Sequence, residues 1–160
     1  GMMGSGKTSI GRSVSKKLNL DFFDIDEHIE AKLGMKISKI FEYRGEPYFR
    51  KLEEKISLKV LKLNKIVVSL GGGAFLNKNI RDEILNKHMS FWLKWDDKIL
   101  LKRIKNNPKR PIAFQSTSQE LIDLIKLRSN IYSKALYKIK CDNLNKLKVV
   151  EKVLKIYENN

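Results

Sequence analysis

The first eight residues, Gly1-Met2-Met3-Gly4-Ser5-Gly6-Lys7-Thr8, fit the pattern G-x-x-x-x-G-K-[ST]. Glycines in such a run let the backbone turn so that successive N–H groups point inward at phosphate oxygens. The helix that follows adds the positive end of its dipole. Lysine at the seventh position can reach the β- and γ-phosphates of a nucleotide, and the hydroxyl after it can ligate Mg2+. Gly4, Ser5, Gly6, Lys7, Thr8 and Ser9 are therefore candidate ATP-binding residues, with Lys7 also catalytic and Thr8 a metal ligand. The alternative is a glycine-rich turn that caps a helix. The run opens directly onto a segment with Ile10, Val14 and Leu18 on one helical face, which favours the phosphate loop.

A second constellation follows at Phe22-Phe23-Asp24-Ile25-Asp26, where two acids close a short apolar run. In an extended segment, residues i and i+2 point the same way. Both carboxylates would then face the phosphate site, since ligands of open α/β sheets lie at the C-terminal ends of the strands. Of Asp24 and Asp26, one could hold Mg2+ through water and the other orient or deprotonate a substrate hydroxyl. The competing reading is helix capping by Asp26, ahead of a helix over Glu27–Leu33.

Elements able to position these groups alternate along the chain. Ile29 and Leu33, then Ile37, Ile40 and Phe41, predict two short helices, and Phe49, Leu52, Ile56, Val60 and Leu63 a longer one. Ile66–Leu70 is a β-branched run ended by Gly71-Gly72-Gly73, which reads as a buried strand. A helix over Asn79–Lys87, a strand over Met89–Leu93 and a helix capped by Asp96 come next. Residues 107–118 are polar and loop-like. A helix with Leu121, Leu124, Ile125 and Arg128, a strand over Tyr137–Cys141 and a terminal helix complete the chain. The alternation implies an α/β fold with a central, mostly parallel sheet flanked by helices. A phosphate loop ordinarily follows a buried strand in the middle of such a sheet. Here the loop begins at residue 1, so that strand is expected ahead of it, lost by truncation or by a glycine standing in for native sequence.

Composition narrows the function classes. A chain of 160 residues with 42% hydrophobic and 32% charged residues is one soluble domain with a core. No apolar run is long enough to span a bilayer, and the lone Cys141 allows neither an intramolecular disulfide nor a cysteine-based zinc site. A cytoplasmic setting and a monomer are expected, with no membrane partner. Thirty-three Lys+Arg against eighteen Asp+Glu give a formal charge of +15, which raises nucleic acid as a partner. The lysines are scattered, and no nucleic-acid-binding motif accompanies them, so no nucleic-acid partner is expected.

Further segments carry a resemblance. Gly45-Glu46-Pro47-Tyr48-Phe49-Arg50-Lys51-Leu52-Glu53 is similar to the G-E-x-x-F-R-x-x-E motif of the shikimate kinases. The glycine triplet after a hydrophobic strand, Arg110-Pro111 at the opening of a polar stretch, and Arg128 with Tyr132 also resemble that family, in its order and spacing. The resemblance implies a single P-loop kinase domain over 1–160 with a three-layer fold. Within it, 28–63 would form a helical substrate-binding region and 107–118 a mobile lid. It implies ATP-dependent phosphorylation of the 3-hydroxyl of shikimate, with ATP and shikimate as small-molecule partners and Mg2+ as cofactor.

The residue roles follow from the same resemblance. Arg50 and Arg128 would fork the substrate carboxylate, with Glu53 holding Arg50. Asp26 would meet the ring hydroxyls, Gly71, Gly72 and Gly73 would let backbone approach the ring, and Phe41 and Phe49 would flank it. Arg110 would neutralise the transferring phosphate, and Arg103 would stack on adenine. The alternatives are another small-molecule P-loop kinase, gluconate kinase-like, or a basic nucleic-acid-binding module. The phosphate-loop reading has a direct check. Lys7→Ala is expected to lower phosphoryl transfer by roughly a thousandfold, since a largely electrostatic mechanism loses its charge on the β/γ-phosphates. Turnover near the parent's in a coupled ADP-release assay would reduce the loop to a structural turn.

Overall fold

The computed structural model describes residues 1–106 and 116–160. Its elements run α1 (Lys7–Leu18), β1 (Asp21–Asp24), α2 (Ile25–Leu33), α3 (Ile37–Val60), β2 (Ile66–Ser69), a 3-10 turn (Ala74–Leu76), α4 (Lys78–Lys87), β3 (Phe91–Lys94), α5 (Asp97–Lys105), α6 (Ser118–Tyr132), β4 (Tyr137–Lys140) and α7 (Lys146–Glu158). Residues 107–115, which include Arg110 and most of the expected lid, lie outside the described residues.

Local chemistry starts these helices where it should. Asp24, Asn77, Asp96 and Asn145 each accept a backbone N–H in the first turn of the helix that follows. Thr117 and Glu120 form a reciprocal capping box on α6. The two helices expected between residues 37 and 63 are joined as α3, which is broken at Gly45 (φ 76°, ψ 162°) just ahead of Pro47. The strand expected at Met89–Leu93 sits two residues later, at Phe91–Lys94.

All four strands of the described residues are parallel, as the alternation implies. They form two hydrogen-bonded pairs, β1 with β2 and β3 with β4. α1 packs on β1 and β2 and against α7. Strand β2 stands between two cores, because successive side chains point to opposite faces. Val67 joins the larger core with Trp92, Ile104, Tyr132 and Val149, while Ile66 and Val68 join the smaller one with Ile25, Ile40 and Phe49. The smaller core fastens α2 and α3 over β1. Ile25, Ile29 and Ile40 are fully buried there, so truncating any of them to alanine costs about 2–5 kcal/mol.

Between the outer edges of β2 and β3 runs a slot of about 450 Å³ whose lining includes Ile66, Val67, Val68, Trp92 and Leu93. Gly1 is part of the lining, and a Cβ there would stand 3.4 Å from the Leu93 carbonyl, which places Gly1 near the C-terminal end of β3. A strand running into Gly1 would lie parallel to both edges and could pair with each. Fusing five or six alternating β-branched residues ahead of Gly1 is therefore expected to raise the thermal midpoint by at least ~5 °C, through backbone pairing and apolar burial. An unchanged midpoint in a melting experiment would show that the slot does not accept a strand.

Candidate active site

The C-terminal ends of β1, β2 and β3 converge on the phosphate loop. Gly4 and Gly6 sit in the left-handed region, at φ 79° and 87°, which residues with a Cβ rarely adopt. No side chain caps α1 and no acid occupies its first turn, leaving the positive helix end for an anion. Lys7 curls back over the loop, its Nζ donating to the carbonyls of Gly1 (2.9 Å) and Met2 (3.0 Å). Ser5 is wholly buried, and Ser9 lies exposed on the first turns of α1.

Asp24 ends β1 with both carboxylate oxygens engaged. One accepts from the Thr8 hydroxyl at 2.7 Å, the other from the Glu27 N–H at 3.1 Å. Asp24 is the cap of α2, which removes the competing reading of Asp26 as a cap. One sequence expectation is corrected. The strand stops at Asp24, so the two acids do not share one face of an extended segment. Asp26 instead lies in the first turn of α2.

The helix nevertheless delivers Asp26 to the glycine triplet. A Cβ at Gly71 would lie 2.6 Å from Asp26 Oδ1 and 2.6 Å from Glu53 Oε1. Burial, then the charges of Glu53 and Asp24, push the Asp26 carboxyl up to about 6, against the opposing pull of Lys7 and Arg50.

Arg50 and Glu53, one turn apart on α3, form a half-buried ion pair with Arg50 Nη1 2.7 Å from Glu53 Oε2. Glu53 is only 2% exposed, and its Oε1 is buried without a hydrogen-bond partner. Burial raises the Glu53 pKa, with Arg50 countering only in part. Burial opposes the charge on Arg50 too, but the Glu53 and Glu46 carboxylates together hold its pKa above the ordinary value. The Nε and Nη2 of Arg50 both meet Glu46 Oε1, at 3.0 and 2.8 Å. Gly73 makes the room: a Cβ there would fall 2.3 Å from Arg50 Nη1.

Across the triplet, the Tyr132 hydroxyl donates to the Gly72 carbonyl. Arg128, one turn earlier on α6, has a buried Nε without a partner. Phe49 is 2% exposed and belongs to the smaller core. It meets the partly exposed Phe41 edge-on at 4.8 Å, and Arg50 lies over both rings. On the nucleotide side Arg103, in the last turn of α5, lies over the Trp95 ring.

The structure thus brings Lys7, Thr8, Asp24, Asp26, Arg50, Glu53, Arg128 and the triplet together at one end of the strands. Trp95 escaped the sequence reading, because its indole acts across the fold and leaves no local signal. Glu46 and Tyr132 stood in the quoted motifs without a role; the i,i+4 spacing of Glu46 to Arg50 could have supplied one, whereas the Tyr132 bond to Gly72 is a contact made by the fold.

A phosphate loop opening a helix, with paired carboxylates and arginines at the ends of parallel strands, makes this a P-loop kinase fold. The model of the shikimate kinase family matches residues 3–158. The chain belongs to the shikimate kinase family. It is 36% identical to the shikimate kinase of Bartonella quintana over 160 residues, covering 99% of this chain and 76% of that one. The shikimate kinase of a Sulfurihydrogenibium species is 38% identical over 154 residues, covering 96% and 92%. Among solved structures, the shikimate kinase of Acinetobacter baumannii in complex with shikimate superposes with a TM-score of 0.92 at 31% identity, covering 100% of this chain and 90% of that one. The enzyme of Aquifex aeolicus gives 0.89 at 32%, covering 100% and 94%.

The raised Asp26 pKa sets a pH dependence whose sign is fixed. An unfolded aspartate titrates near 4 and the folded one at about 6, so between those values the folded protein holds the extra proton. The stability from this group is full below about pH 4 and is lost as pH rises to about 6. Asp26→Asn is therefore expected to match the parent's thermal midpoint at pH 4 and exceed it by roughly 2–6 °C at pH 7. Thermal melts of both proteins across that range check it. A midpoint difference that does not change with pH would remove Asp26 as the titrating group.

Proposed function

We propose that the protein transfers the γ-phosphoryl group of ATP to the 3-hydroxyl of shikimate, forming shikimate 3-phosphate on the route to chorismate and the aromatic amino acids. The observation that carries this reading is the pair of buried, unpartnered polar atoms around the glycine triplet, Glu53 Oε1 and Arg128 Nε. Buried polar atoms ordinarily find partners, and a donor and an acceptor left over beside Asp26 suit a ligand that carries both a carboxylate and hydroxyls.

In this reading Arg128 and Arg50 bind the substrate carboxylate. The exposed Glu46 carboxylate occupies the outer fork of Arg50 and is displaced by that of the ligand. Asp26 accepts a hydrogen bond from the attacking hydroxyl and takes its proton as the new O–P bond forms. A loose transition state asks little of a base, so orientation is the larger part of its role. Lys7 leaves the Gly1 and Met2 carbonyls for the β- and γ-phosphates, and the uncapped start of α1 receives the remaining phosphate oxygens. Arg110 is assigned to the transferred phosphate and Arg103 to the base.

Magnesium is ordinarily bound through one or two protein oxygens and the phosphates of the nucleotide. Thr8 and Asp24, already 2.7 Å apart, are a donor set of that kind. When bound, the ion would neutralise charge on the phosphates. Among the described residues no helix is long and apolar enough to cross a membrane.

A gluconate-type kinase would share the phosphate loop but has no need of two arginines for a ring carboxylate. The arginine pair therefore gives the test. Arg50→Ala and Arg128→Ala are each expected to weaken shikimate binding by about 2–5 kcal/mol, with binding of a non-hydrolysable ATP analogue nearly unchanged. Calorimetric titration of each variant with both ligands decides. Arg50→Ala that binds shikimate as tightly as the parent would withdraw the carboxylate assignment and favour another polyol.

A further inference from the structure

Trp95 follows β3 directly and is 7% exposed. Its indole Nε1–H donates to the Ser5 carbonyl of the phosphate loop at 3.0 Å, a buried bond between segments far apart in sequence. The guanidinium carbon of Arg103 stands 3.6 Å from the centroid of the same ring, whereas every other cation–ring pair among the described residues is at 5.1 Å or more. At that separation the guanidinium is in contact with the ring face, and Arg103 as a whole is solvent-exposed. No ion pair among the described residues includes Arg103, so the indole is the contact that orients it. A planar cation with one face on an aromatic ring and the other toward solvent offers a flat surface to a purine base.

We propose that Trp95 is a positioning residue for the nucleotide, holding Arg103 flat as a platform for the base with its ring face and fixing the phosphate loop with its N–H. One rigid side chain would then set the spacing between the base platform and the phosphate cradle. The proposal rests on the reading of the loop as an ATP site with Arg103 on the base, and goes beyond it in assigning the residue that couples the two.

The test titrates the protein calorimetrically with ADP and with inorganic tripolyphosphate, which has phosphates but no base. Arg103→Lys keeps the charge and loses the plane. It is expected to weaken ADP by about 3- to 30-fold and tripolyphosphate by less than about twofold. Trp95→Leu should weaken both ligands, ADP more. The double variant Trp95→Leu/Arg103→Lys should bind ADP no more weakly than Trp95→Leu alone, because the platform is already lost. Trp95→Phe keeps a ring without the N–H, so it should weaken the two ligands by similar factors, and it carries the test if Trp95→Leu does not fold.

Arg103→Lys costing ADP the same factor with and without the indole would overturn the proposal and leave the ATP reading standing. Trp95→Phe binding both ligands like the parent would overturn the link to the loop. Arg103→Lys without effect on ADP would remove Arg103 from the base, and the proposal with it. A parent protein that binds neither ligand would instead sink the ATP site itself.

Discussion

Glu53 is a carboxylate almost withdrawn from water, and the substrate end of the molecule is arranged around keeping it there. A buried charge without a cation at contact distance costs several kcal/mol, so Arg50 must stand where it does. Gly73 must lack a side chain for Arg50 to fit, and Gly71 must lack one for Asp26 and Glu53 to approach each other. That approach in turn helps lift the Asp26 pKa. Breaking the pair by removing one member would strand the other charge, at a cost of about 3–5 kcal/mol. The cluster is thus a set of mutual conditions rather than a list of contacts, and the free oxygen of Glu53 is where a ligand would enter it.

The fold serves this cluster from two sides. The smaller core fixes α2 and α3, and so Asp26, Arg50 and Glu53. The larger core fixes α1, α5 and α6, and so Lys7, Arg103 and Arg128. Strand β2 faces both cores and ends in the glycine triplet, so the two halves of the site meet at the end of one strand. Charge at the surface has little part in this. The excess of lysine lies mostly on exposed positions, where water screens ion pairs such as Lys39–Glu42 and leaves them little weight in stability.

What could be read from the sequence was what short-range pattern encodes. The phosphate loop, the run Ile66–Ser69 and the capping residue Asp96 depend on neighbours within a turn or two, and they stand where the spacing put them. Asp24 and Asp26 show the limit. Either can cap a helix, and the choice turned on two residues of strand length, which register with β2 decides. Spacing pairs Glu53 with Arg50, but it does not show that Glu53 is withdrawn from water, because burial is a tertiary property. Trp95 was invisible for the same reason, its partner Ser5 being brought to it by the fold.

The one cysteine closes the strand next to this machinery, and its surroundings make it chemically quiet. Cys141 is fully buried, its thiol directed at the Ile139 carbonyl, and burial followed by the Asp142 charge pushes its pKa up to about 11. At neutral pH essentially no thiolate is present to attack an alkylating reagent. The native chain is therefore a silent background for thiol labelling. A cysteine placed at an exposed position such as Lys102 on α5 or Lys39 on α3 would be the only reactive one, so dyes or spin labels could report distances across the site without first removing a native residue.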